Sequence, residues 1–146
     1  MRIIPYERRY RDDLIFMVLE AKDALGRIPT LNEDLLDIQH CYIDRGDAFF
    51  VAVDEQDRVI GCIGFNAVEG TNEVFLHRLY VKVAMKRQGI GARLLLEAET
   101  CIREKGKTRI RVHLGEKSSY SESYQFYPKH GYVEYAPRYM MKELSP

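Results

Sequence analysis

The sequence predicts a mixed α/β domain: a central, mixed but mostly antiparallel sheet flanked by helices, in the order β-α-α-β-β-β-α-β-α-β-β. Three observations carry this. Residues 48–53, 59–65 and 74–83 are apolar, β-branched and aromatic runs separated only by the turn segments Asp54-Glu55-Gln56-Asp57 and Glu69-Gly70-Thr71-Asn72, so they read as a three-strand antiparallel meander. Beyond Gly89 and Gly91, the residues Ile90, Leu94, Leu95, Ala98, Cys101 and Ile102 share one face at helical spacing. That helix lies between residues 74–83 and the alternating strand 109–114, and a helix crossing between two strands favours a parallel pair.

The remaining elements follow in chain order. Residues 2–6 make a short first strand, placed at or near a sheet edge by Pro5. Asp12 and Asp13 precede the helical stripe Leu14, Ile15, Val18, Leu19 and Leu25, which Gly26 ends and Pro29 follows. Thr30-Leu31-Asn32-Glu33 has the form of a capping box and predicts a second helix running through Leu35, Leu36, Ile38 and Ile43. Gly61 and Gly64 inside the second meander strand imply a bulge or a close neighbour. Gly106 terminates the long helix. Residues 118–127 form a tyrosine-rich helix ending near Pro128, and residues 132–135 and 139–144 close the chain as a hairpin around Pro137.

Composition bounds the function. At 146 residues the chain makes one domain, residues 1–146. Lys plus Arg 22 against Asp plus Glu 22 leaves a net charge near zero, so no global field draws it to nucleic acid. No apolar run approaches the ~20 residues that span a bilayer, and no signal-peptide core is expected at the start. Cys41, Cys62 and Cys101 are odd in number and embedded in apolar patterns, which argues against a disulfide framework or a metal site and for a reducing cytoplasm.

The stretch that organises the chain is an apolar strand, a basic turn and two glycines opening a helix. A helix start gathers unpaired N–H groups and partial positive charge, and glycines let the backbone approach a phosphate closely. A dinucleotide fingerprint would need glycine where Leu94 stands, and a P-loop would need Gly-Lys-Ser/Thr where Gly91-Ala92-Arg93 stands. What remains is a compact anion-binding turn with Lys86, Arg87 and the amides of Gln88 through Ala92 around it. A tight strand-to-helix turn with no ligand is the plain alternative for an isolated Gly-x-Gly.

The run Leu-His-Arg-Leu-Tyr-Val, the turn Arg-Gln-Gly-Ile-Gly and the later Phe-Tyr-Pro-Lys-His-Gly-Tyr resemble the GNAT family of acetyl-CoA-dependent N-acetyltransferases. The element order extends the resemblance over nearly the whole chain. The family's phosphate motif, Arg/Gln-x-x-Gly-x-Gly/Ala, falls on Lys86, Gly89 and Gly91. Its later Asn, Tyr and Gly-Phe fall on Tyr120, Tyr127 and Gly131-Tyr132, with Tyr120 in place of the Asn. The resemblance implies a GNAT-like sheet and acetyl-CoA as cosubstrate. Leu79, Tyr80 and Val81 would lie along the pantetheine arm, and Lys86, Arg87, Gln88, Gly89, Ile90, Gly91, Ala92 and Tyr120 would complete the cofactor site.

The chemistry needs a neutral amine, a polarised thioester and a discharged thiolate. Tyr127 resembles the family's tyrosine that serves the departing sulfur. Free tyrosine has a pKa of ~10 against ~8.5 for a thiol, so full proton transfer costs roughly 2 kcal/mol and hydrogen-bond donation describes its role better. For a base, period-two alternation puts Glu73, Phe75, His77, Leu79 and Val81 on one strand face. The position where the family often has glutamate is Phe75, so Glu73 and His77 are the candidates, with His113 a third on a polar face. Asn32, Glu33, Asp34 and Asp37 could meet a basic amine or simply cap and solvate a helix. Pro128 should pull Tyr127 away from ideal helix geometry.

The expected function is therefore acetyl transfer from acetyl-CoA to a primary amine by direct attack in a ternary complex, with no acyl-enzyme. The amine acceptor is a small molecule or a protein. The first two helices and residues 116–121 would line its site. A homodimer is admitted but not required. The alternative is a non-catalytic acyl-CoA-binding module of the same fold, motivated by Tyr120, Phe75 and Pro128.

Overall fold

The computed structural model describes residues 1–145. Seven strands form one sheet in the order β1-β2-β3-β4-β5-β7-β6. Strands β1 (Arg2–Pro5), β2 (Ala48–Val53), β3 (Val59–Ala67) and β4 (Glu73–Val81) pair antiparallel in sequence order. The crossover helix α3 (Ile90–Glu104) then delivers β5 (Arg109–His113) parallel to β4. The hairpin β6 (Val133–Ala136) and β7 (Tyr139–Glu143) follows, with β7 inserted beside β5. Pro5 does lie on an edge strand, where its missing N–H costs the sheet nothing.

The sheet buries a core on each face. Under α3, Phe50, Ile63, Phe65, Val74, Leu76 and Ile110 pack against Leu94, Leu95 and Ile102. Each such side chain taken out of water stabilises the fold by about 1.5–3 kcal/mol. Under α1 (Arg11–Ala24), Leu14 and Val18 pack with Leu35, Ile38, Tyr42, Phe49 and Val51. Gly61 and Gly64 mark close approaches. A Cβ on Gly64 would stand 2.5 Å from the Phe49 ring, and one on Gly61 2.9 Å from Leu94. Among the described residues, no helix is long and apolar enough to cross a membrane.

Three local expectations are corrected. The second helix is broken: α2 (Glu33–Leu36) stops at Asp37, and residues Gln39–Ile43 form a separate π turn. Asp37 is the cause, because its Oδ1 accepts the His40 N–H at 3.1 Å and so caps the following turn in preference to continuing the helix. Nor is Thr30 the cap; Asn32 holds that position, with its side chain bonded to Lys22. Helix α4 spans Ser121–Lys129, later than expected at both ends. Pro128 sits inside its last turn without displacing Tyr127, whose carbonyl accepts the N–H groups of His130 at 3.0 Å and Tyr132 at 3.1 Å.

The third correction concerns β4. Cys62 pairs with Tyr80 but Gly64 pairs with His77, so β4 carries one extra residue at Arg78-Leu79, with Arg78 in the left-handed region at φ +59°. One inserted residue reverses the alternation. Val74 and Leu76 join the α3 core before the bulge, and Leu79 and Val81 pack against that same core after it. Glu73, Phe75 and His77 therefore do not share a face with Leu79 and Val81.

Candidate active site

The parallel pairing of β4 with β5 ends at Leu76 opposite Val112. Past that point β4 continues through the bulge to Val81 with no partner on its β5 side, and a cleft of about 600 Å³ opens there. Leu79, Tyr80 and Val81 line it from the sheet, Leu25 and Arg27 from the end of α1, and Phe126 and Tyr127 from α4. Its far end is the glycine turn.

At that turn Gly89 is the N-cap of α3, at φ +78°, a conformation that glycine adopts freely and other residues do not. No side chain caps the helix and no acidic residue stands in its first turn. The first helical bond runs from Arg93 N–H to the Gly89 carbonyl, at 3.1 Å, so the N–H groups of Ile90, Gly91 and Ala92 precede the helical ladder. Ile90 is buried and anchors the turn to the core, while Lys86, Arg87, Gly89, Gly91 and Ala92 line the cleft with it. Gln88 flanks the turn without lining the cleft. Lys86 is paired with Glu122 at 2.5 Å. The whole end offers backbone donors, a helix dipole and cationic side chains to an anion.

At the other end Tyr127 is 5% exposed. Its ring packs edge-on against Phe126 and Tyr132, each with centroids 5.2 Å away. Tyr132 is in turn fixed by its own hydroxyl, which donates to Glu99 at 2.7 Å, and Glu99 is paired with Lys142 at 3.1 Å. Among the described residues the Tyr127 hydroxyl has no protein partner. Burial raises its pKa, the neighbouring Tyr80 adds to the rise, and Arg27 opposes it. The group stays protonated at neutral pH and can donate a hydrogen bond in the cleft it lines.

The remaining predicted residues lie apart from this cleft. Tyr120 is the N-cap residue of α4; its ring lies on Gly115 and carries the Arg27 guanidinium 3.4 Å above it. Glu73 accepts from Arg109 at 2.9 Å and Arg111 at 2.7 Å, and lines a separate small cleft with Thr71, Asn72 and Thr108. Burial pushes its pKa up, but the two arginines prevail and hold it below the carboxylate range. His77 stacks on Phe75 at 6.3 Å and meets the edge of Tyr42 at 6.5 Å; burial, helped by Arg78, lowers its pKa and keeps it neutral. His113 is exposed, stacked on Tyr139 at 4.5 Å. Asp34 accepts from Arg78 Nε and Nη2, each at 2.9 Å, and from the Tyr42 hydroxyl at 2.8 Å, so it is satisfied internally.

Sequence reasoning missed Arg27, Leu25 and Phe126. Phe126 was within reach as the residue beside Tyr127. Arg27 follows a helix-ending glycine with no pattern around it, and nothing in its neighbours signals that it turns toward the cleft.

The strand order, the opened β4–β5 pair and the phosphate-suited turn define a class, a coenzyme-binding acyltransferase fold. Residues 45–134 match the acetyltransferase (GNAT) domain family, and the chain belongs to that family. Solved structures share the fold along its length. It is similar to a GNAT-family acetyltransferase of Staphylococcus aureus Mu50 at 24% identity and a TM-score of 0.88, covering 99% of each chain. The PaiA N-acetyltransferase of Thermoplasma acidophilum, solved with coenzyme A, aligns at 23% identity and a TM-score of 0.75 over 98% of this chain and 99% of that one. A phosphinothricin acetyltransferase of Sinorhizobium meliloti, solved with acetyl-CoA, aligns at 15% identity and a TM-score of 0.74 over 99% and 88%. No curated protein matches the sequence.

Proposed function

We propose that this protein transfers the acetyl group of acetyl-CoA to a primary amine by direct attack within a ternary complex. The observation that carries the proposal is the single cleft joining the glycine turn to Tyr127 along the unpaired edge of β4. The pyrophosphate occupies the amides of Ile90, Gly91 and Ala92, with Lys86 and Arg87 beside them. The pantetheine arm lies along Leu79, Tyr80 and Val81, completing the strand pairing that β5 abandons. Gln88 and Tyr120 support the turn and the α4 start from outside the cleft.

The amine nitrogen attacks the thioester carbonyl carbon; a C–N bond forms, the C–S bond breaks, and the electron pair leaves on sulfur. Tyr127 donates a hydrogen bond to that sulfur. Full proton transfer from it is uphill, because its pKa is raised above an ordinary value of ~10 that already exceeds the thiol's ~8.5. The amine's surplus proton leaves to water, and the departing thiolate, hydrogen-bonded to Tyr127, takes up a proton from water to leave as the free thiol. Neither strand candidate lines the cleft: His77 packs against Phe75 and Tyr42, and the Glu73 carboxylate is occupied by two arginines, so the proton leaves to water in the cleft. The three free cysteines suit a reducing cytoplasm, and none lines the cleft, so no acyl-enzyme forms.

The test is release of free CoA thiol from acetyl-CoA across a panel of primary amines, with acetyl-CoA binding measured separately by calorimetry. Amine-dependent thiol release is expected. Binding without release from any amine would make this a non-catalytic binding module instead.

A further inference from the structure

The acyl end of the cleft holds a cation with no counter-charge. Helix α1 ends in a Schellman turn: Gly26 N–H reaches the Asp23 carbonyl and Arg27 N–H the Lys22 carbonyl, both at 3.0 Å, with Gly26 at φ +74°. This turn directs Arg27 to the cleft wall beside Tyr80 and Tyr127. Its Nε donates to the Ser119 carbonyl at 3.2 Å, and its guanidinium lies flat on the Tyr120 ring. Among the described residues no carboxylate comes within ion-pair distance of it, and its two terminal nitrogens have no protein partner. Three other charges in this part of the fold already have partners. Lys86 meets Glu122, Asp34 meets Arg78, and Lys22 bonds to the Thr30 carbonyl and Asn32.

On this acetyl-transfer reading, we propose that Arg27 binds a carboxylate on the amine acceptor, so that the substrates are amino acids or amines carrying an anionic group a few bonds from the reacting nitrogen. A guanidinium already tethered at Nε and stacked on an aromatic face presents its remaining N–H fork with little further loss of freedom, the geometry that suits bidentate carboxylate binding. Its field reaches both tyrosine hydroxyls beside the cleft. The competing source of an anion is a phosphate of the coenzyme, whose natural cations sit at the other end of the cleft on Lys86 and Arg87.

The experiment compares glycine, alanine, methionine and glutamate with their α-amides as acceptors. In the wild type, kcat/KM favours the acids by about tenfold or more. In Arg27→Gln that preference falls to near parity while the KM for acetyl-CoA stays within about twofold, and Arg27→Lys keeps part of the preference. Equal use of acids and amides overturns the proposal, and so does an Arg27→Gln variant that loses acetyl-CoA affinity while keeping the acid preference. A calorimetric arm titrates the CoA-loaded protein with N-acetylmethionine and with its amide. Tighter binding of the acid, abolished in Arg27→Gln, is the expected result; equal binding refutes the proposal. This arm needs no turnover, so a failure of catalysis in the amine panel is distinguished from a failure of carboxylate recognition.

Discussion

Tyr127 keeps its proton at neutral pH, so its hydroxyl is available to donate, and its surroundings make it so. Burial keeps its proton on, Tyr132 and Phe126 fix its ring, and the chain Tyr132–Glu99–Lys142 holds that packing from beneath α3. On the proposed mechanism, Tyr127→Phe removes one hydrogen bond to a developing thiolate and leaves the packing. The expected outcome is a fall in kcat of about ten- to a hundredfold, with acetyl-CoA affinity unchanged by calorimetry. An unchanged kcat would remove Tyr127 from the mechanism. Tyr127 was legible as part of a local run, Phe126-Tyr127-Pro128, whose neighbours are also its neighbours in space. Arg27 was not, because its partners Ser119 and Tyr120 are distant in sequence and only the closed fold brings them together.

At the scale of elements, the meander, the crossover helix and the hairpin were all readable, since period, glycine and proline report on nearest neighbours. The β4 bulge was not readable, because strict alternation is the default of an uninterrupted strand. What fixes the extra residue is tertiary: Arg78 is held by Asp34 from α2, while its carbonyl accepts from the Cys62 thiol at 3.1 Å. The break at Asp37 was missed because a side-chain cap competed with helix continuation. The glycine turn yields the prediction proper to this scale. Gly89→Val places a β-branched residue at φ +78°, with an expected loss of about 1–2 kcal/mol of stability and of most coenzyme affinity as the amides of Ile90, Gly91 and Ala92 are re-aimed. Thermal unfolding with and without CoA checks both, and an undiminished CoA-induced rise in Tm would refute the turn's assignment.

Across the whole molecule, the titrating groups that sense folding pull the same way on acidification. Burial depresses the His77 pKa below its ordinary 6.5, so folding disfavours its charged form and stability falls as pH drops from about 6.5 toward the folded value. Asp34 is raised by burial, but its hydrogen bonds from Arg78 and Tyr42 prevail and hold it low; Asp13 is held low chiefly by Arg58. Their contribution is complete above the ordinary 3.8 and is lost as pH falls from there through the lower folded values. The expected profile is a plateau near neutrality, a first decline below about pH 6.5 and a second below about pH 4. Denaturant melts at stepped pH check it, and His77→Gln should erase the first decline alone.

The two halves of the sheet are fastened by only four residue pairs between β4 and β5, Glu73 to Leu76 against Arg109 to Val112. The sheet is thus a partly undone zipper, and the ligand arm proposed along Leu79 and Val81 would supply missing teeth. Hydrogen exchange should record this: the amides of Leu79 and Val81, fast in the free protein, are expected to slow once CoA is bound, while those of β1 and β2 keep their rates. On the proposed binding mode, the coenzyme would finish a piece of secondary structure that the polypeptide leaves incomplete.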